Sequence, residues 1–577
     1  MTGRGFFRRY RDLLILLSLP FLLLALDPQW VYSGPRRDPW IYYGYFRGGA
    51  VYLKAFHNLY YSSRLSVILP GWLAHHLLPP LAANLVLHLA VWWSAVLAFY
   101  SVVRMTLGRR VALLSALAFG CHPFLLPAVG TDYVDGFGIA YFLLALLALT
   151  RAALAPGRWG WLVLAGAMTT ALVTANLAYA LYLPFLAAHF FVVWTEGEPG
   201  TSAPPLAATV LPFAAGALGL FFAFGATSWA GGGYFLYLLP STAFLSNFIS
   251  LPSVFPKPMA TWIGGATWLV FPALVLLGGM VLVARARAGR LAAPAAIPEG
   301  ALGASRRFLL FSQLQLVAFA AVMLVCQLGS HSPFLQYFFY ASLLLPGAFL
   351  AFAGQLARLV ASLENRAYLT LVAGVLLCLA IPFTFRLAPE RLASVTSAYV
   401  LLPLAAGMGM VAVISLGRAS LRAGLVLFLS LGLSQLLAWS SSHIDRDFEI
   451  YSRDRAGLFL QIDRSVTALE RIAPSADFYF WFDAMERDGL LFDSLSATYL
   501  VCPRLFGMSF PRILTCKACD DRDLAPGMKL AVLSTRPQAF GEAVAALRGI
   551  GLDGRLVGHE EIRGPAPTFD ITVIEIE

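Results

Sequence analysis

Long apolar runs separated by short polar segments make up most of the chain. A membrane-spanning helix needs about 20 mostly apolar residues, and about thirteen runs are candidates, several of them short. They lie near residues 12–26, 81–103, 111–128, 136–150, 160–176, 178–194, 205–226, 262–284, 308–328, 334–357, 367–385, 397–416 and 421–440. The segment LVTANLAYALYLPF leaves open whether it forms a hairpin or one broken helix. The pattern predicts an all-α polytopic membrane domain over residues 1–440.

The segments between the runs differ in charge on the two sides of the predicted membrane. The first run follows the basic segment RGFFRRYRD but has no small-residue cleavage site after it, so we predict a retained helix rather than a signal peptide. With a cytoplasmic N-terminus, most cytoplasmic loops are basic, among them ARARAGRLAAPAAIPEGALGASRR. An excess of Lys and Arg is expected on that side. The loops therefore account for most of the net charge of +10 without a nucleic-acid partner.

Composition supports the same class of protein. Hydrophobic residues make up 59% of the 577 positions and charged residues only 12%, against about 25% charged in soluble domains. The Ala-, Leu- and Arg-rich composition suits a bacterial inner membrane. We therefore predict a multi-pass inner-membrane protein.

The C-terminal tail, residues 441–577, has a different character. Charges return, and short β-prone segments such as KLAVLS and FDITVIEI flank the helical pattern RPQAFGEAVAALRGI. This pattern predicts a small α/β domain, which the predicted orientation places in the periplasm. The tail has one CxxC pair, Cys516 and Cys519, which is too few ligands for a structural zinc site. A disulfide among Cys502, Cys516 and Cys519 is the favoured alternative in an oxidising compartment.

The first outer loop begins with DPQWVYSGPRRDPWIYYGYF and extends over residues 27–80. Its many aromatic residues are typical of the headgroup region and predict interfacial helices. Aspartates near hydrocarbon are costly and are usually retained for function. Asp27 and Asp38 each precede a proline, so a helix cap is the alternative role for both.

The second outer loop, TDYVDG, adds Asp132 and Asp135 on the same side. Two acidic loops facing one compartment are suited to general-base chemistry, although Asp135, just before an apolar run, is more typical of a helix cap. The cations of the first loop predict a phosphate site; they are Arg36, Arg37, Lys54 and Arg64. Arg36 and Arg37 also suit non-specific contact with lipid phosphates.

The segments DPWIYYGYF, SRLSVILPGWL and TDYVDG, about a dozen spans and a soluble tail together resemble the GT-C superfamily of membrane glycosyltransferases. The arrangement is similar to bacterial members related to protein mannosyltransferases and aminoarabinose transferases. The resemblance implies a polyprenyl-phosphate sugar donor and a first-loop aspartate as base. Asp38 best fits that aspartate, Asp27 fits less well, and Asp132 fits the second-loop acid. The first loop lacks the adjacent acidic pair of the mannosyltransferases, and the tail lacks a sequon-binding motif.

The resulting hypothesis is an inverting transfer to a glycan, lipid or protein acceptor on the periplasmic face. The candidate catalytic residues are Asp38, Asp132 and Asp27, and the candidate substrate-binding residues are Arg64, Arg37, Lys54, Tyr42, Tyr133, His331 and Gln336. A divalent cation stays open but is not favoured, because the acidic set is sparse. The alternatives are a transporter or flippase of a lipid-linked sugar and a non-catalytic envelope assembly protein. A transporter would favour charges at mid-membrane, and the predicted spans are nearly free of them.

Overall fold

The computed structural model describes residues 3–26, 28–33, 37–122, 124–155, 159–197, 206–250, 306–329, 342–360, 454–472, 478–482, 526–534, 539–549, 551–564 and 568–577, with short pieces within 271–280 and 365–372 and residue 501. Helices dominate the part before residue 361. They are α1 (Gly3–Leu26), α2 (Arg37–Ala55), α3 (Leu65–Leu77), α4 (Pro80–Leu107), α5 (Arg109–Gly120), α6 (Leu125–Gly130), α7 (Val134–Leu154), α8 (Trp159–Ala175), α9 (Leu183–Gly197), α10 (Leu206–Ala230), α11 (Leu239–Ser250), α12 (Arg306–Gly329) and α13 (Leu344–Val360).

Several of these helices coincide with predicted spans. Within the described residues, five helical stretches are long and apolar enough to cross a membrane: Pro80–Leu107, Val134–Leu154, Leu177–Glu196, Ala207–Ala230 and Arg307–Cys326. The central stretches of α4 and α7 are mostly buried inside the protein, whereas that of α10 is mostly exposed. Helices α4 and α7 therefore form the centre of the bundle. The count of thirteen spans stays a prediction, since most of residues 361–440 lies outside the described residues.

The run at 111–128 does not form the single helix expected from its hydropathy. It is divided into α5 and the short α6, with a break at Cys121 and His122. At the break, Trp92 Nε1 donates a hydrogen bond to the carbonyl of Gly120 at 3.1 Å, which gives this carbonyl a partner outside the helix. Pro123 follows in the sequence and disfavours helical geometry at the preceding residue.

The segment LVTANLAYALYLPF is also interrupted. Helix α8 ends at Ala175, and a 3-10 helix spans Leu177–Tyr182 before α9 begins. The side chain of Asn176 accepts a hydrogen bond from the backbone N–H of Ala178 at 3.1 Å and so caps the 3-10 helix. The two apolar runs are therefore separate helical segments.

The first outer loop is helical, as predicted, although its location at the membrane interface stays a prediction. Helix α2 leads through a 3-10 helix at Tyr60–Ser63 to α3. At Gly49, α2 kinks with a φ of 47°, a left-handed conformation that favours glycine. Helices α2 and α3 pack closely, since a Cβ added at Gly71 would overlap the ring of Phe46.

The described part of the tail begins with α14 (Arg455–Ile472) and contains β1 (Phe478–Phe482), β2 (Lys529–Ser534), α15 (Ala539–Gly549), β3 (Gly554–Ile562) and β4 (Phe569–Ile576). The strands form one sheet in the order β1-β2-β4-β3, with β1 and β2 parallel and the other pairs antiparallel. Leu530 and Val532 of β2 belong to a core with α15. Ala531, which points to the other face, belongs to the large core that includes α14. The small C-terminal sheet is thereby confirmed.

Candidate functional site

Arg64 occupies the centre of the candidate site. It lies between the 3-10 helix Tyr60–Ser63 and α3, so its backbone position is fixed by two helical elements. Its guanidinium carbon is 4.8 Å from the ring centre of Tyr60, 5.8 Å from Tyr61 and 5.9 Å from both Tyr42 and Tyr133. Cations at such distances are attracted by aromatic rings. We call these four side chains, Tyr42, Tyr60, Tyr61 and Tyr133, the tyrosine cage.

The positive charge of Arg64 has no carboxylate partner within salt-bridge distance among the described residues. Its Nη1 donates a hydrogen bond to the hydroxyl of Tyr42. Aromatic rings and a phenol offset only part of the cost of moving a guanidinium out of water. The cage is therefore suited to an anionic ligand.

Asp38 stands at the edge of the tyrosine cage, in the first turn of α2. The hydroxyl of Tyr61 donates a hydrogen bond to Asp38 Oδ1 at 3.1 Å. The side chain is partly exposed, and within the described residues this is its single hydrogen bond. A carboxylate in this state has capacity left to accept a proton.

Short-range contacts hold the cage residues in place. Asp38 and Tyr42 are four residues apart on α2 and so share one face of the helix. Ser62 Oγ donates to the carbonyls of His57 at 3.0 Å and Leu59 at 2.7 Å, and Ser63 Oγ donates to that of Tyr60 at 2.6 Å. These local bonds stabilise the turn that carries two of the cage tyrosines, Tyr60 and Tyr61.

The phenols of the cage are neutral at physiological pH. Burial raises the pKa of Tyr60 to about 12, although the Arg64 charge opposes the shift. Burial also raises the pKa of Tyr61 and of Tyr42. Their hydroxyls therefore keep their protons and act as hydrogen-bond donors to a carboxylate or a phosphate oxygen.

Asp132 lies in a different environment. Its side chain is fully buried, and Ser33 Oγ donates to its Oδ2 at 3.0 Å while the Asp132 backbone N–H donates to Ser33 Oγ at 2.9 Å. His88 Nε2 lies 3.1 Å from Oδ1. His88 Nδ1 lies 2.7 Å from the Val31 carbonyl, which can only accept, so Nδ1 carries a proton. These contacts join the segment after α1, helix α4 and the second outer loop. Tyr133 of the cage directly follows Asp132 in that loop.

The structure does not place the remaining predicted site residues in the tyrosine cage: some lie elsewhere, and others are outside the described residues. Lys54 is exposed near the end of α2, and its stem packs against Gly232, where an added Cβ would lie 3.1 Å from Lys54 Cγ. Asp27, the side chain of Arg37, and the later-loop residues His331 and Gln336 lie outside the described residues. Asp135, expected as a helix cap, is the second residue of α7, and the N-cap is Tyr133.

The structure brings together Asp38, Arg64, Tyr42 and Tyr133, all of them candidates from the sequence. Tyr60 and Tyr61 were missed, although the pair stands directly before SSR in the sequence. Helix α11 adds a further contact, since Phe244 stacks on Tyr60 with ring centres 4.2 Å apart. Within the described residues, no group of three or more His, Cys, Asp or Glu side chains is arranged to hold a metal ion.

Comparison with solved structures identifies the fold. The crystal structure of ArnT from Cupriavidus metallidurans in the apo state matches with a TM-score of 0.50 and 12% identity, over 97% of this chain and 97% of that chain. The chain has the ArnT fold. The resemblance predicted from the sequence is confirmed at the level of the fold.

A second structure of ArnT was also found. ArnT from the same organism bound to undecaprenyl phosphate gives a TM-score of 0.46 and 12% identity, over 96% of this chain and 97% of that chain. No protein-family model and no curated protein matches the sequence.

Proposed function

We propose that this protein is an integral membrane glycosyltransferase that takes its sugar from a polyprenyl-phosphate donor. The observation that carries the proposal is the tyrosine cage, in which Arg64 has no carboxylate partner in the described part of the chain. A phosphate would supply the missing negative charge and accept hydrogen bonds from the guanidinium. The ArnT fold supports the class of enzyme, and undecaprenyl phosphate, with which ArnT has been crystallised, is the type of lipid we expect the donor to carry.

The proposed reaction is a single displacement at the anomeric carbon. The bond from the acceptor oxygen to this carbon forms as the bond from the carbon to the phosphate oxygen breaks, so the configuration is inverted. Asp38 takes the proton of the acceptor hydroxyl. Negative charge grows on the departing lipid phosphate, and Arg64 with the neutral phenols around it stabilises that charge.

Tyr61 connects the two halves of this mechanism. Its ring faces the Arg64 guanidinium, and its hydroxyl donates to Asp38 Oδ1. This bond holds one carboxylate oxygen and leaves Oδ2 for the acceptor. The base and the phosphate site are thereby kept at a fixed distance from each other, as an in-line displacement requires.

We further propose that residues 1–440 form the membrane-embedded catalytic domain and residues 441–577 a periplasmic domain, with the N-terminus in the cytoplasm. The apolar helices and the basic loops between them support this assignment. His88, which contacts Asp132, lies in the first half of α4. Just beyond the other end of α4, Arg109 donates two hydrogen bonds to Asp12, of 2.6 and 2.8 Å. This pair would lie at the cytoplasmic side.

The test is mass spectrometry of the purified protein in lipid nanodiscs with a panel of polyprenyl-phosphate sugars and an envelope extract as acceptor. We expect one donor to be consumed and the free lipid phosphate to be released. Folding is checked in parallel by thermal unfolding. A folded protein that consumes none of the donors would contradict the proposed function.

A further inference from the structure

Helix α2 has two faces with different partners. The face with Asp38 and Tyr42 belongs to the tyrosine cage. Trp40, Tyr43 and Arg47, spaced three and four residues apart, form another face that contacts α14 of the C-terminal domain. Any movement of α14 against α2 would therefore act on the element that carries Asp38.

The first part of this contact is aromatic. Phe459 of α14 is fully buried, with its ring centre 4.6 Å from Tyr43 and 6.0 Å from Trp40, on which it stacks. Tyr32, in the segment between α1 and α2, lies 6.1 Å from the same ring. Phe459 thus fills a pocket made by the first outer loop.

The second part of the contact is polar. The hydroxyl of Tyr43 donates to Asp463 Oδ1 at 2.7 Å, and Arg47 Nε lies 3.5 Å from the same oxygen. Arg47 Nη2 donates to Glu470 Oε2 at 3.1 Å and to Thr467 Oγ1 at 3.0 Å. Phe459, Asp463, Thr467 and Glu470 are spaced by four, four and three residues, so they form one stripe along α14.

Helix α14 is also fixed to the sheet of the C-terminal domain. Gln461 Nε2 donates to the carbonyl of Ile562 at 3.3 Å, and Arg471 pairs with Glu560, both on β3. Ile472 packs against Gly558 of the same strand, where an added Cβ would lie 2.6 Å from Ile472 Cγ2. The helix therefore connects the sheet on one side with α2 on the other.

We propose that α14 is a strut through which the C-terminal domain sets the position of Asp38. The proposal rests on the proposed function, and it assigns Phe459, Asp463 and Tyr43 as positioning residues that do not touch the substrate. Arg64 lies on a separate element, before α3, and is held by the turn at Tyr60–Ser63. Of the cage tyrosines only Tyr42 lies on α2, whereas Tyr60, Tyr61 and Tyr133 lie on other segments. Loosening the strut should therefore slow the chemical step more than it weakens binding of the donor phosphate.

The test compares three variants of the full chain in nanodiscs. Asp463→Ala removes the acceptor of Tyr43 and the charge beside Arg47. Asp463→Asn keeps the acceptor, and Tyr43→Phe keeps the ring on Phe459. We expect kcat to fall on the order of 10- to 100-fold in Asp463→Ala, as for a small displacement of a catalytic group, and less in the two conservative variants. The KM for the donor should change by less than about threefold in all three, since Arg64 and three of the four cage tyrosines lie outside α2. Glu575→Gln, which removes a surface charge paired with Arg555 in the same domain, is the matched control and should leave kcat unchanged.

Hydrogen exchange of residues 37–48 gives a second readout that does not depend on turnover. Exchange in this segment should rise in Asp463→Ala and stay unchanged in Glu575→Gln. Faster exchange with an unchanged kcat would overturn the proposal, because the contact would then be structural alone. A rise in donor KM that accounts for the whole loss would also overturn it.

The proposed function can fail separately from the strut. If the wild type consumes no donor, the proposed function is wrong, and the exchange measurement decides the strut. Unchanged exchange of residues 37–48 in Asp463→Ala would then overturn the link between α14 and α2, and faster exchange would support it.

Discussion

Asp38 and Asp132 are both aspartates of predicted outer loops, yet the structure places them in opposite situations. Asp132 is fully buried, with Oδ2 bonded to Ser33 and Oδ1 facing His88. Asp38 is partly exposed, with one hydrogen bond from Tyr61 in the described part of the chain. A carboxylate enclosed in the protein, with one oxygen bonded to Ser33 and the other 3.1 Å from His88 Nε2, holds elements together. A carboxylate with an open oxygen, held by a tyrosine of the cage around Arg64, is the one that we propose for the chemistry.

The comparison predicts the largest effect on turnover at Asp38. In Asp38→Asn the side chain keeps its size and its acceptor for Tyr61 but loses most of its basicity. We expect the rate of transfer to fall by about 10²- to 10⁴-fold, the usual contribution of a general base. Thermal unfolding of the variant should match that of the wild type, because the residue is partly exposed. Near-normal turnover would remove Asp38 from the mechanism.

At Asp132 the effect should be on stability. Asp132→Ala leaves His88 and Ser33 without their partner in the interior, and loss of one member of such a buried pair costs about 3 to 5 kcal/mol. We expect a clear drop in the unfolding temperature in nanodiscs. Asp132→Asn, which keeps the size and one acceptor, is the matched variant and should lose less. An unfolding temperature equal to that of the wild type in both variants would show that the network contributes nothing.

Tyr61→Phe tests whether the hydrogen bond from the cage to Asp38 matters for turnover. The ring stays against Arg64, and the hydroxyl that holds Asp38 is lost. Displacement of a catalytic group by about 1 Å can cost about 100-fold in rate, so we expect kcat to fall by about 10- to 100-fold. Tyr234→Phe, which removes the exposed hydroxyl bonded to Asn58 outside the cage, is the control. Equal kinetics in the two variants would refute the role of the Tyr61 hydroxyl.

Hydropathy predicts many of the helices, but it does not predict where an apolar run is broken into two helices. The long runs at 81–103 and 136–150 became α4 and α7 because their apolar length alone demands a helix. Pro123 is a local signal for the break in the run at 111–128, but the hydrogen bond at the break joins the Gly120 carbonyl to Trp92, 28 residues earlier. Such a side-chain contact between helices leaves no trace in a local pattern.

In the candidate site, too, contacts between distant residues could not be predicted from the sequence. Asp38 and Arg64 could be found from residue type and loop position, since charges are rare in this chain. Tyr60 and Tyr61 could not be told apart from the other tyrosines of an interfacial loop. The enclosure of Asp132 depends on Ser33, 99 residues away, and the contact of Tyr43 with Asp463 spans 420 residues. Sequence reasoning therefore identified the charged groups and two cage residues, Tyr42 and Tyr133, and missed Tyr60, Tyr61 and the partners that are distant in the chain.

The central claim is that the Arg64 cage binds the donor phosphate and that Asp38 acts on the acceptor. Native mass spectrometry of a polyprenyl phosphate bound to the protein tests it most directly, with Arg64→Gln, Arg64→Lys and Asp38→Asn beside the wild type. We predict that Asp38→Asn binds the lipid phosphate like the wild type. Arg64→Gln should bind it about 10- to 100-fold more weakly, in line with the loss of a charged hydrogen bond, and Arg64→Lys should fall between them. Equal binding by Arg64→Gln and the wild type would contradict the account.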